Sequence, residues 1–273
     1  MPSLEAFPQN IHISHAQPTS SVEATSNILP YFIATAVLLP LLLQHLYRDY
    51  KSFIALGPGG TEQSVRGYLK LKALSIFALR DRCVPPPPQS NLVTKTGYLS
   101  SLPQRIGRRP RTEGIAPHRQ VQQRSETDIY DKLTAAIEKC AMHSVGLEVG
   151  TSCFELNSTG LFCTNPERRT CGGEICHSHP SDGSMHMTLH PADVKAVLEA
   201  GWGERHPLAR GGWMERFVPV GFVLIYAPRK VEEIDTLMEI VRAARWWVAG
   251  TEIDVRRDSL ADGMRELKED KCC

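Results

Sequence analysis

The sequence predicts an α+β fold: a small antiparallel sheet with flanking helices, preceded by one N-terminal transmembrane helix. Three observations lead there. One uncharged apolar run stands near the N-terminus. Downstream, helical periodicity and short strand-like runs mix without βαβ regularity. Most of the nineteen prolines lie in the first half of the chain, which places the folded core C-terminally. At 273 residues, 42% apolar and 22% charged, the chain suits one ordinary domain with appendages. A formal net charge of +1 argues against a nucleic-acid binder, which carries a strong basic excess.

Residues 1–27 are polar, rich in Ser, Thr and Pro, and read as disordered. The run Ile28–Tyr47 contains no Asp, Glu, Lys or Arg over 20 residues, the length a hydrocarbon core requires. Pro30 falls in the first turn, Pro40 is a tolerated kink, and Tyr31 and Tyr47 suit the interfaces. The first cation in the chain is Arg48, followed by Lys51, Arg66, Lys70 and Lys72. That asymmetry predicts a single-pass protein with a short lumenal N-terminus and a cytosolic C-terminal domain, and the endoplasmic reticulum is the expected membrane. A cleaved signal peptide fits less well, because no basic region precedes the apolar run.

Residues 48–124 read as an interfacial helix and a linker. Val65–Leu79 is apolar but interrupted by cations, which suits a helix lying at a membrane surface. Pro85–Pro88 is a stiff spacer. From Arg105 to Arg124 six arginines face one acid, Glu113, and attraction to an anionic membrane and a solvated loop explain them equally well. No aromatics interleave with these charges, so nucleic acid is not expected as a partner. The eight cysteines include no CxxC pair, which argues against a zinc ribbon, and a cytosolic domain keeps them reduced. Cys272-Cys273, closing a polar tail over 251–273, offers a site for lipidation.

The folded domain is expected over 125–250. Ser125–Asp128 caps a helix whose apolar face carries Ile129, Leu133, Ala136, Ile137 and Cys140 and which closes near His143. Leu147–Val149 and Phe154–Phe162 read as strands, with a turn at 157–160. Pro191–Ala200 reads as a helix with Gly201 just past its end. Val218–Tyr226 is a central buried strand, and Val231–Val248 a long helix with Ile234, Leu237, Ile240, Val241, Ala244 and Trp247 inward.

The chemistry concentrates between Glu174 and His206. Asp182-Gly183 predicts a two-residue hairpin turn. In that register His179 faces His186, His177 faces Thr188 and Ile175 faces His190. One face then holds His177, His179, His186 and Thr188, with His190 at the margin and Glu174 pointing away. Such imidazoles act as general bases near neutral pH, the preferred reading. The same three could instead bind a transition metal for a hydrolase or isomerase, the alternative. His177-Ser-His-Pro180 also resembles the JAMM metalloproteases, but Met187 and His190 occupy the positions where that family has serine and aspartate.

The order of several motifs resembles the fungal luciferase family. Glu174-Ile175, His177-x-His179 and His186 are followed by Gly201-Trp-Gly-Glu-Arg-His-Pro-Leu-Ala209 and Leu224-Ile-Tyr-Ala-Pro-Arg229 with a long helix. Upstream, Arg48-Asp-Tyr-Lys-Ser-Phe53, Gly57-Pro58 and Arg66-Gly-Tyr68 recur in the same order after the apolar run. The likeness covers roughly residues 30–249. It implies a luciferase-like oxygenase acting with O2 on an α-pyrone of the 3-hydroxyhispidin type, a small-molecule substrate. No cofactor is implied beyond O2 as co-substrate, and a metal is not favoured. The implied roles are His177, His179 and His186 as base, Arg205 and His206 stabilising the enolate, and Trp202, Tyr226 and Thr188 contacting the flat substrate. Cys176-His-Ser-His-Pro180 departs from luminous members around the histidines, so oxidation rather than light is the expectation.

Overall fold

The computed structural model describes residues 21–87, 96–167 and 170–250. The expectations for residues 1–20, for Pro88, and for the tail with Cys272-Cys273 lie outside the described residues. The chain divides into two compact units, Met1–Asp49 and Tyr50–Cys273.

Helix α1 (Ser21–Ala55) runs without a break through Pro30 and Pro40. Residues 21–27 are therefore helical, not disordered; neither Gly nor Pro stands among them to stop a helix. Within Ile28–Ala55 an 18-residue window reaches a mean hydropathy of 1.7, and none of that window is buried. By length and composition this helix could cross a membrane. The Thr35 hydroxyl donates to the Tyr31 carbonyl at 2.8 Å, so its polarity is satisfied within the helix.

The second unit begins with the last turn of α1. Helix α2 (Val65–Ser75) is capped by Ser64, whose hydroxyl accepts from the Gly67 amide at 3.1 Å. It ends short of Leu79, and Tyr68 and Leu71 pack on Phe53 while Val65 and Leu69 remain exposed. Strands β1 (Thr112–Gly114) and β2 (His118–Gln120) form a hairpin. Then follow α3 (Thr127–His143), β3 (Leu147–Thr151), β4 (Thr159–Cys163), β5 (Glu174–Ser178), β6 (Met185–Thr188), α4 (Pro191–Glu199), β7 (Gly203–Arg205), β8 (Phe222–Ile225) and α5 (Glu233–Ala249). Strands β3 to β8 make one antiparallel sheet in the order β3-β4-β5-β6-β8-β7. This is the expected α+β fold, with β8 an interior strand as its continuous apolar run predicts.

Helices α3 and α5 cover one face of the sheet. Leu133 and Ile137 from α3 and Leu237, Ile240, Val241 and Ala244 from α5 meet Cys176, Met185, Met187, Val223 and Ile225. Strand alternation sends the residues between them to the opposite face. That is where the histidines go.

Two stretches differ from expectation. Strand β4 starts at Thr159 rather than Phe154, because Ser152 builds a loop: its hydroxyl accepts from the Glu155 amide at 3.0 Å and its carbonyl from Leu156 at 3.0 Å. Residues 96–124, read as linker, are part of the folded unit. Arg105 and Arg119 are buried. The Arg119 guanidinium pairs with Glu155 and donates to the Pro58 carbonyl at 2.8 Å, while Arg105 lies over the rings of Trp202 and Tyr226. These partners come from distant parts of the chain, so composition alone makes the arginines look solvated. Arg108, Arg111 and Arg124 are exposed.

Candidate functional site

The β5–β6 hairpin pairs His177 with His186, Cys176 with Met187 and Ser178 with Met185. This register differs by two residues from the one expected. The His179 amide donates to the Ser184 carbonyl, and the Gly183 amide to the His179 carbonyl, both at 2.8 Å. The loop is thus Pro180–Gly183, four residues rather than two. Pro180 has no amide to extend the ladder. Asp182 folds its carboxylate back onto the Ser184 amide (2.8 Å) and hydroxyl (2.7 Å), and Gly183 takes φ +79°. A shift of two preserves which side each residue faces, so His177, His179, His186 and Thr188 still share a face.

On that face three imidazoles converge. His186 Nδ1 lies 3.1 Å from His179 Nε2 and 3.4 Å from His177 Nε2. A fourth, His118 of β2, approaches from the other hairpin with its Nδ1 3.2 Å from His186 Nε2. All four are buried. Sequence reasoning missed His118, which sits among arginines read as linker.

Each outer histidine is anchored by a carboxylate. His177 Nδ1 lies 2.5 Å from Glu174 Oε1. His179 Nδ1 meets the Ser184 hydroxyl at 2.8 Å, which itself donates to Asp182 at 2.7 Å. His118 Nε2 lies 3.2 Å from Glu204 Oε1, which also accepts from Thr112 (2.6 Å) and pairs with Arg82 (3.0 Å). Glu174 does not point away, contrary to expectation. Leu161 opposes Cys176 while Phe162 opposes Glu174, so Ile175 is an extra, bulged residue. Ile175 and Cys176 both enter the helix-side core, and Glu174 turns to the histidine side.

Other expected site residues lie elsewhere. Arg205 falls between Glu204 and His206 on β7, so alternation points it away; its guanidinium binds the Ala209 and Val84 carbonyls. Trp202 is a core residue whose indole donates to the Pro103 carbonyl at 2.6 Å. Tyr226 is fully buried, its hydroxyl donating to Glu204 at 3.1 Å. Thr188 is buried opposite Phe222. His190 caps α4, accepting from the Ala192 amide at 3.0 Å. His206 does join the cluster, 5.3 Å from the His118 ring and 5.5 Å from that of His186. Its two nitrogens are already used: Nε2 donates to the Ile115 carbonyl (2.8 Å) and Nδ1 accepts from the Leu208 amide (3.1 Å).

The cluster opens onto a cleft of about 270 Å³ lined by His118, His177, His186 and His206 together with Phe154 and Phe222. Phe222 stacks on His186 at 5.1 Å, and Phe154 meets Phe222 at 4.7 Å, which gives the cleft flat apolar walls beside imidazole edges. Among the described residues lining it, Lys70 is the single Lys or Arg. The aromatic walls expected from Trp202 and Tyr226 are thus supplied by Phe154 and Phe222.

Burial dominates the electrostatics. It pushes His179 down to about 3 against the pull of Asp182, and lowers His118 despite Glu204. His186 falls well below the ordinary imidazole value of 6.5 through burial and then its histidine neighbours, and His206 through burial and then His118. Burial alone would raise the Glu174 carboxyl, but His177, Ser152 and the Cys153 amide together hold it below the usual carboxylate range. The sign for stability follows. Below pH 6.5 the unfolded chain takes up protons at these four histidines that the folded chain refuses. Stability is therefore lost as pH falls from 6.5 towards about 3, where His179 itself titrates. At pH 5 the expected loss from His179 is about 2 kcal/mol, and the other three act in the same direction. Denaturant midpoints measured between pH 7.5 and 5 check this, and a flat profile would contradict it.

The fold and the cluster define an α+β domain built around a buried polyhistidine centre, in a chain whose described residues include one candidate membrane span. The Luciferase domain family matches residues 172–244, from just before β5 into α5. The chain is 31% identical over 241 residues to a luciferase of Neonothopanus nambi, covering 78% of this chain and 83% of that one. It is 30% identical over 235 residues to a luciferase of Armillaria mellea, covering 77% and 84%. The chain belongs to the fungal luciferase family. No solved structure matches it significantly.

Proposed function

We propose that this protein is a membrane-anchored oxygenase that oxidises an enolisable α-pyrone, of the 3-hydroxyhispidin type, with O2. The observation that carries the reading is the juxtaposition of flat aromatic walls and imidazole edges in one cleft, in a member of the luciferase family. The pyrone ring lies against Phe154 and Phe222. Its enol meets the edge formed by His177 and His186 and gives up its proton there. The electron-rich enolate then reacts with O2, and the family likeness implies addition of O2 to the ring and release of CO2. Glu174 orients His177 throughout, and His118 with Glu204 orients His186. Helix α1 tethers the domain to the endoplasmic reticulum, with Arg48 and Lys51 on the cytosolic side. The test compares a 3-hydroxypyrone with its O-methyl ether, each incubated with the protein in air and under nitrogen. Loss of the free enol in air alone is the expected result. Equal loss of the ether, or no loss of any pyrone, would sink the reading.

A further inference from the structure

The histidine centre poses a problem of protons. Glu174 is an acceptor, so His177 carries its hydrogen on Nδ1 and leaves a lone pair on Nε2. Ser184 gives its hydrogen to Asp182 and must accept from His179 Nδ1, which leaves a lone pair on His179 Nε2. Glu204 likewise holds the hydrogen of His118 on Nε2, so the bare Nδ1 of His118 accepts from His186 Nε2. His186 Nδ1 is then bare as well. With the tautomers that Glu174, Asp182 and Glu204 select, Glu204 prevailing over the Arg82 guanidinium 3.3 Å from His118 Nε2, three lone pairs point at one another, His186 Nδ1 lying 3.1 and 3.4 Å from the other two. Buried acceptors so arranged repel, unless a cation lies among them.

We propose that His177 Nε2, His179 Nε2 and His186 Nδ1 bind one divalent transition-metal ion. The three atoms lie within 4.8 Å of one another. Tetrahedral metal–nitrogen bonds of about 2.0–2.1 Å place ligand nitrogens about 3.3 Å apart, close to the two separations observed. Each ligand has the outer partner that metal-bound histidines use: Glu174 for His177, Ser184 with Asp182 for His179, and His118 with Glu204 for His186. His206 is not a ligand, since both its nitrogens are bonded to backbone. Imidazole-only donors favour zinc, copper, iron or nickel over magnesium or calcium.

The site deepens the proposed reaction and rests on it for its role. An enolate needs a positive charge beside it; Arg205 is turned away from the cleft, and Lys70, the single Lys or Arg among the described residues lining it, is exposed to solvent. His177 and His186 line the cleft, so the bound cation faces it and binds the enolate oxygen; with both imidazoles ligated, the cation replaces them in acidifying the enol, whose proton leaves to solvent through the cleft.

The experiment uses the full-length chain in detergent. Elemental analysis is expected to find about one transition-metal ion per chain, and cobalt added after chelation to give a visible band saturating at about one equivalent. His177→Ala and His179→Ala should abolish the band. Glu174→Gln, which keeps the side chain's shape and one acceptor oxygen, should weaken cobalt binding by about 10–100-fold. No metal, no band and no cobalt-induced rise in melting temperature in the wild type would overturn the site. So would wild-type cobalt affinity in Glu174→Gln or in folded alanine variants. Pyrone turnover by the stripped chain would remove the metal and keep the reaction, whereas cobalt binding without turnover would keep the site and remove the reaction.

Discussion

Asp182→Ala is expected to destabilise the second unit by about 3–5 kcal/mol. The carboxylate is buried and accepts from three donors: the Ser184 amide and hydroxyl through Oδ1, and the Gln120 amide through Oδ2 at 2.8 Å. Each buried donor left without an acceptor costs about 1–3 kcal/mol. The Gln120 bond also ties the β1–β2 hairpin, and with it His118, to the loop that shapes the β5–β6 register. Asp182→Asn keeps one acceptor oxygen but turns an N–H2 towards donors, so about half of the loss should remain. Thermal unfolding of the full-length variants reads both. A change below about 0.5 kcal/mol in Asp182→Ala, the range of ordinary surface substitutions, would contradict this role.

His186→Ala should lower kcat for pyrone oxidation by about 10²–10⁴-fold, the range for losing a group that promotes proton loss from the substrate, whether directly or through a bound cation. His186 is the hub of the centre: it touches His177, His179 and His118 through its nitrogens and Phe222 through its ring face. KM should change less, because Phe154 and Phe222 still bind the ring. Loss of affinity with kcat intact would instead make His186 a wall residue. Glu204 supports the same chain from behind His118, so Glu204→Gln should act in the same direction and more weakly.

The fold was largely legible because its elements carry local signals. The α3 and α5 stripes, Pro191 opening α4, and the apolar run of β8 each specify an element from neighbouring residues alone. The shared face of His177, His179 and His186 was legible for a related reason: strand alternation survives a register shift of two. What remained hidden depends on contacts far apart in sequence. His118 reaches His186 across 68 positions, and Arg119 reaches Glu155 across 36. The bulge at Ile175 that redirects Glu174 has no sequence mark. Arg205 was the avoidable error, since alternation about Glu204 and His206 already turns it away.

Oxygen uptake by the intact chain, given an α-pyrone with a free enol, tests the central claim most directly. The wild type is predicted to consume O2 in step with pyrone loss. His186→Ala, if it melts like the wild type, is predicted to fall by the same 10²–10⁴-fold or about to background. Uptake by that variant at the wild-type rate, or none by the folded wild type with any enolic pyrone, would contradict an oxygenase centred on these histidines.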